Sequence, residues 1–151
     1  MTIFEYKVSS PEALEFIICI RITDNAENNV TTWFRNKKYL HTIPASEVNK
    51  IKNIIKARPE LFHIPEHLEP NAVLDEEKYS FIFSDGKNAN SFSGFNILDY
   101  GRKPRKNATL ALRVAREIKE AVLDLNHIRT MIPTRLQHWP KGRKSSRVVK
   151  I

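Results

Sequence analysis

Residues 15 to 23 read EFIICIRIT, and the fold turns on them. In an extended chain Phe16, Ile18, Ile20 and Ile22 fall on one side, while Ile17 and Cys19 make the opposite side partly apolar as well. A segment apolar on both faces belongs in the interior of a sheet, because an edge or surface strand would leave one of those faces in water. The polar DNAENN at 24 to 29 supplies a turn after it. VTTWFRNKK at 30 to 38, rich in β-branched and aromatic residues, returns as a strand, so 15 to 38 predicts a hairpin.

Working outward, Ile3 to Val8 sets Phe4, Tyr6 and Val8 against Glu5 and Lys7, the period-two pattern of a half-buried strand, and Ser9, Ser10 and Pro11 end it. A first helix is expected to start around Pro44 to Glu47, since proline suits a first helical turn and Val48, Ile51, Ile54 and Ile55 form a helical stripe that Pro59 closes. Residues 61 to 78, LFHIPEHLEPNAVLDEEK, read as a long acidic connection. A second hairpin follows: Tyr79, Phe81 and Phe83 alternate, Asp85 and Gly86 suit a tight turn, and NANSFSGFNI returns, with Gly94 marking a bulge or close packing. The second helix is capped by Asn107 and carries Leu110, Val114, Ile118, Val122 and Leu125 every three or four residues.

These elements predict an α+β protein: a mostly antiparallel sheet of about five strands, two amphipathic helices packed on one face, and a basic C-terminal tail. Residues 1–128 form the expected domain and 129–151 a partly ordered basic extension. One domain of 151 residues buries enough surface for a real core. The single cysteine, Cys19, cannot form an intramolecular disulfide, and the start MTIFEYKVSS lacks a secretory pattern, so a reducing, cytoplasmic setting is expected. The longest apolar run, FIICI, stops at Arg21, far short of a bilayer span, so no membrane partner is expected.

Charge is lopsided. Residues 1 to 100 hold 11 Lys and Arg against 14 Asp and Glu, a net −3; residues 101 to 151 hold 14 against three acids, Glu117, Glu120 and Asp124, a net +11. Such a block points to a polyanion partner, with ordinary solubility as the plainer reading. Within it, Arg113 and Arg116 have acids four residues on, at Glu117 and Glu120, and pair locally on a helix. Arg102, Lys103, Arg105 and Lys106 have no such explanation. They precede the second helix, whose N-terminus is already partly positive, an arrangement that is locally unfavourable but suited to phosphate or carboxylate. Beyond Asp124 there is no acid, and Arg129, Arg135, Lys141, Arg143, Lys144, Arg147 and Lys150 gather around Trp139. That ring could stack on a base while the cations follow phosphates, or simply pin the tail to the domain.

Catalytic chemistry finds little footing. Cys19 sits among isoleucines, where a thiolate is costly. His63 and His67 are four apart, but Pro65 between them opposes the helix that would align them for a metal, and the acids from Glu66 to Glu77 lack calcium-loop spacing. With four glycines there is no phosphate loop, dinucleotide fingerprint or nucleophile elbow. The expectation is a non-enzymatic binding protein without cofactor or metal. It contacts nucleic acid through Arg102, Lys103, Arg105, Lys106, Arg135, Trp139, Lys141, Arg143, Lys144, Arg147 and Lys150. The alternative is an inhibitor or immunity-type module docking an acidic protein.

Overall fold

Two strands that each carry a continuous apolar row pair first. β1 (Thr2–Ser9) and β2 (Phe16–Thr23) run antiparallel, setting Phe4, Tyr6 and Val8 opposite Ile22, Ile20 and Ile18. On its other side β1 pairs with β5 (Lys78–Ser84), so the same three residues meet Phe83, Phe81 and Tyr79. The computed structural model describes residues 1–9, 16–34, 37–68, 78–95 and 106–126. With β3 (Val30–Phe34), β4 (Lys37–His41) and β6 (Ala89–Phe95), these strands form one antiparallel sheet in the order β4-β3-β2-β1-β5-β6.

Among the described residues the sheet has six strands, not about five, because Val30–Phe34 and Lys37–His41 are separate antiparallel strands. Phe34 stands opposite Lys37 and Trp33 opposite Lys38. The Asp85–Gly86 turn is as expected. Gly86 has φ +94, the left-handed region that glycine enters freely. Asp85 Oδ1 accepts hydrogen bonds from the N–H groups of Asn88 (2.7 Å) and Lys87 (2.9 Å), which hold that carboxyl below its ordinary range. Gly94 is buried opposite Tyr79 in a ladder without a register shift, so it does not mark a bulge. A bulge does occur in β1: one extra residue, Ile3, lies between the pairs Thr2–Thr23 and Phe4–Ile22, and both Ile3 and Phe4 are fully buried.

α1 (Ala45–Lys56) starts after Pro44 and buries Val48, Ile51 and Ile55, with Ile54 packed at the margin. It meets β1 and β5. Asn29 fixes its approach. This buried side chain donates to the Ile43 carbonyl and accepts from the Ile43 N–H, both at 2.8 Å, acting as a strand partner for the residue that leads into the helix. A 3-10 turn over Pro59–His63 follows, and Asn90 donates to the carbonyls of Leu61 and Ile64, fastening this stretch to β6.

α2 is described from Lys106 to Ile118 and continues as a π-helical turn over Lys119–Leu123. Asn107 is therefore inside the helix and does not cap it. The buried stripe differs from the expected one: Ala108, Ala111, Val114, Ala115, Ile118, Val122 and Leu123 face the core, Leu110 is half-buried, and Leu125 is 65% exposed. α1 and α2 contact each other. Glu117 pairs not with Arg113 but with Arg58, at 3.1 Å, tying the end of α1 to α2. At the centre the Phe81 ring stacks on Phe92 at 5.4 Å between centroids and meets Tyr6 at a tilt at 5.5 Å. Burial of each large apolar side chain there stabilises by about 1.5–3 kcal/mol.

Candidate functional site

Pleating sends the neighbours of these core residues to the opposite side of the sheet. There, in register, lie Glu5 and Lys7 on β1, Cys19 and Arg21 on β2, Thr31 and Trp33 on β3, and Lys38 on β4. Glu5 and Arg21 are directly opposite. Both Nε and a terminal nitrogen of Arg21 lie 2.7 Å from Glu5 Oε1. The carboxylate is buried, its side chain only 5% exposed, whereas the arginine is 40% exposed. The pair thus presents its cationic half to solvent. The guanidinium carbon stands 5.0 Å from the centre of the Trp33 ring, and Lys38 Nζ lies 5.6 Å from the same centre. The ring quadrupole attracts both cations. The result is an indole with cations on neighbouring strands, Lys7 beside them, and one acid already engaged.

Cys19 is fully buried within this group, with Sγ 3.9 Å from Glu5 Oε1. Burial, then the charge of Glu5, pushes its thiol up to about 12. A nucleophile needs the thiolate, so the cysteine is a packing residue. His63 and His67 are exposed, and His67 lies beside Ser93 of β6. Among the described residues no three His, Cys, Asp or Glu side chains gather so as to hold a metal ion, and no helix is long and apolar enough to cross a membrane.

Of the basic residues singled out from the sequence, Lys106 is described. It is exposed at the first described position of α2, and the first turn contains no acid. Arg102, Lys103, Arg105, Arg135, Trp139, Lys141, Arg143, Lys144, Arg147 and Lys150 lie outside the described residues, as does residue 129, where the basic extension was expected to begin. The Arg21–Trp33–Lys38 group was not anticipated. It depends on β4 pairing antiparallel with β3, which sets Lys38 opposite Trp33. The chain matches no family model, and no curated protein is significantly similar to it.

Proposed function

We propose that this chain is a non-enzymatic nucleic-acid-binding protein of the cytoplasm. In this reading Arg102, Lys103, Arg105 and Lys106, with the basic end from Arg135 to Lys150 around Trp139, contact phosphates and stack on bases. The observation that carries it is the division of charge: net +11 over residues 101 to 151, against −3 over the first hundred. Polyphosphate chains bind such blocks by releasing condensed counterions. Two features of the described residues support it. Lys106 is exposed where α2 begins, with no acid in that turn to neutralise it. The cationic group at Arg21, Trp33 and Lys38 offers the same chemistry, an aromatic ring with cations beside it.

We read both helices as packed on the Phe4–Tyr6–Phe81 face, within a domain of residues 1–128. The Lys7–Arg21–Trp33–Lys38 group lies on the opposite face, and the extension of residues 129–151 adds further cations to the same reading. The test is fluorescence anisotropy with a single-stranded RNA, a single-stranded DNA and a duplex of several sequences at graded salt. Binding to all of them, weakening steeply with salt, is expected. Salt-independent affinity, or no binding at low salt, contradicts the proposal.

A further inference from the structure

The two outer edges of the sheet are treated differently. Beside β6 runs the stretch from Glu66 to Leu68: the Ser93 N–H donates to the Glu66 carbonyl at 2.9 Å, and the Leu68 N–H donates to the Ser93 carbonyl at 2.7 Å. At the other margin is β4, and among the described residues no strand lies beyond it. Its residues Lys37, Lys38, Tyr39 and Leu40 are all exposed. Large exposed apolar side chains are few, namely Met1, Tyr39, Leu40 and Leu125 among the described residues, and two of them are consecutive on this edge. A strand edge presents outward N–H and C=O groups from alternate residues, a template for another strand.

We propose that β4 is a docking edge for an extended acidic segment of another protein, which adds as a seventh strand. This site shares Lys38 with the cationic group above but does not depend on the nucleic-acid reading. Side chains of an added strand alternate between faces, so one face meets Lys38 and Leu40 and the other meets Lys37 and Tyr39. An antiparallel partner is therefore read, from its N-terminal side, as apolar, apolar, acid, acid. The two lysines that repel a basic strand attract an acidic one. The same order occurs in this chain at Val73, Leu74, Asp75 and Glu76, which makes a second copy the rival occupant. The net charge of +8 opposes association of identical copies and favours an acidic partner.

The probe is a short labelled peptide of that order, measured by anisotropy against the full chain, with amide exchange followed at residues 37 to 41. Binding with slowed exchange there is expected. Lys37→Glu with Lys38→Glu should weaken it roughly tenfold or more, and a peptide with lysines in place of its acids should recover affinity for that variant. Both lysines are exposed, so an unchanged melting curve accompanies the loss. Three results overturn the proposal. One is no binding by about 1 mM peptide. Another is equal affinity in the charge-reversed variant. The third is a self-associated protein that the same double substitution makes monomeric, which assigns the edge to a second copy.

Discussion

Replacing Arg21 with Met keeps an unbranched stem against Trp33 but removes both nitrogens that lie 2.7 Å from Glu5 Oε1. Glu5 is then a carboxylate with 5% of its side chain exposed and no cation opposite it. Breaking a buried ion pair from one side costs about 3–5 kcal/mol. Here the arginine is 40% exposed, so water can reach part of the vacated space, and the lower end applies. Loss of the contact with Trp33 adds about 0.5–1 kcal/mol. We expect Arg21→Met to destabilise by about 3.5–4 kcal/mol in urea unfolding at neutral pH, as a lower midpoint at constant slope. Glu5→Gln leaves a solvated arginine and costs less. The double variant should lose less than the two single losses together, by about 1–2 kcal/mol, because the uncompensated charge is gone. A loss below about 0.5 kcal/mol for Arg21→Met, or strict additivity, would refute the pairing as a stabilising contact.

Four other outcomes follow from burial. Cys19, with its thiol at about 12 against an ordinary 9.0, carries about a thousandfold less thiolate at a given pH, so its alkylation at pH 8 should track global unfolding; rapid labelling of folded protein would place it at the surface. Since the unfolded chain ionises this thiol first, its contribution to stability is intact below 9.0 and is lost as pH rises toward 12, which alkaline unfolding of Cys19→Ala against wild type would reveal. Ile118→Ala should cost about 2–5 kcal/mol through lost burial and a cavity, while Leu125→Ala, at an exposed position, should change stability by no more than about 0.5 kcal/mol. Equal effects would misplace the helix. Thr32 is fully buried, and its hydroxyl has no hydrogen-bond partner among the described residues, so Thr32→Val should raise the melting temperature, by an amount equivalent to about 1 kcal/mol; a lower melting temperature would mean that the hydroxyl is satisfied.

Strands were legible where alternation is strict. Phe4, Tyr6 and Val8, and Ile18, Ile20 and Ile22, declare a core face by period alone, and Asp85–Gly86 marks its turn by glycine's freedom at positive φ. The division of β3 from β4 was missed because Arg35–Asn36 lacks glycine or proline and is flanked by residues that favour strands. On α2 the spacing of large apolar side chains does not reveal Ala108, Ala111 and Ala115, small residues that are nonetheless buried. The π turn at Lys119–Leu123 inserts an additional residue, so the stripe rotates by about 100° and Leu125 emerges into solvent. Glu117 pairs with Arg58, 59 positions away, a contact no local spacing rule could indicate. The Arg21–Trp33–Lys38 group depends on strand order, which periodicity does not specify.

The nucleic-acid reading rests on the basic end, and one titration series tests it most directly. The described core residues lie between Ile3 and Leu123, so a chain ending at residue 139 should still fold and melt cooperatively. It lacks Lys141, Arg143, Lys144, Arg147 and Lys150. Each cation that neutralises a duplex phosphate contributes about 0.9 to the slope of log affinity against log salt. Full-length and shortened protein should be titrated with the same duplex across a salt series. The expected result is sharply weaker binding and a slope flatter by up to about 4 to 5 in the shortened protein. A folded, shortened protein with unchanged affinity and slope would contradict the assignment of phosphate contacts to this end of the chain.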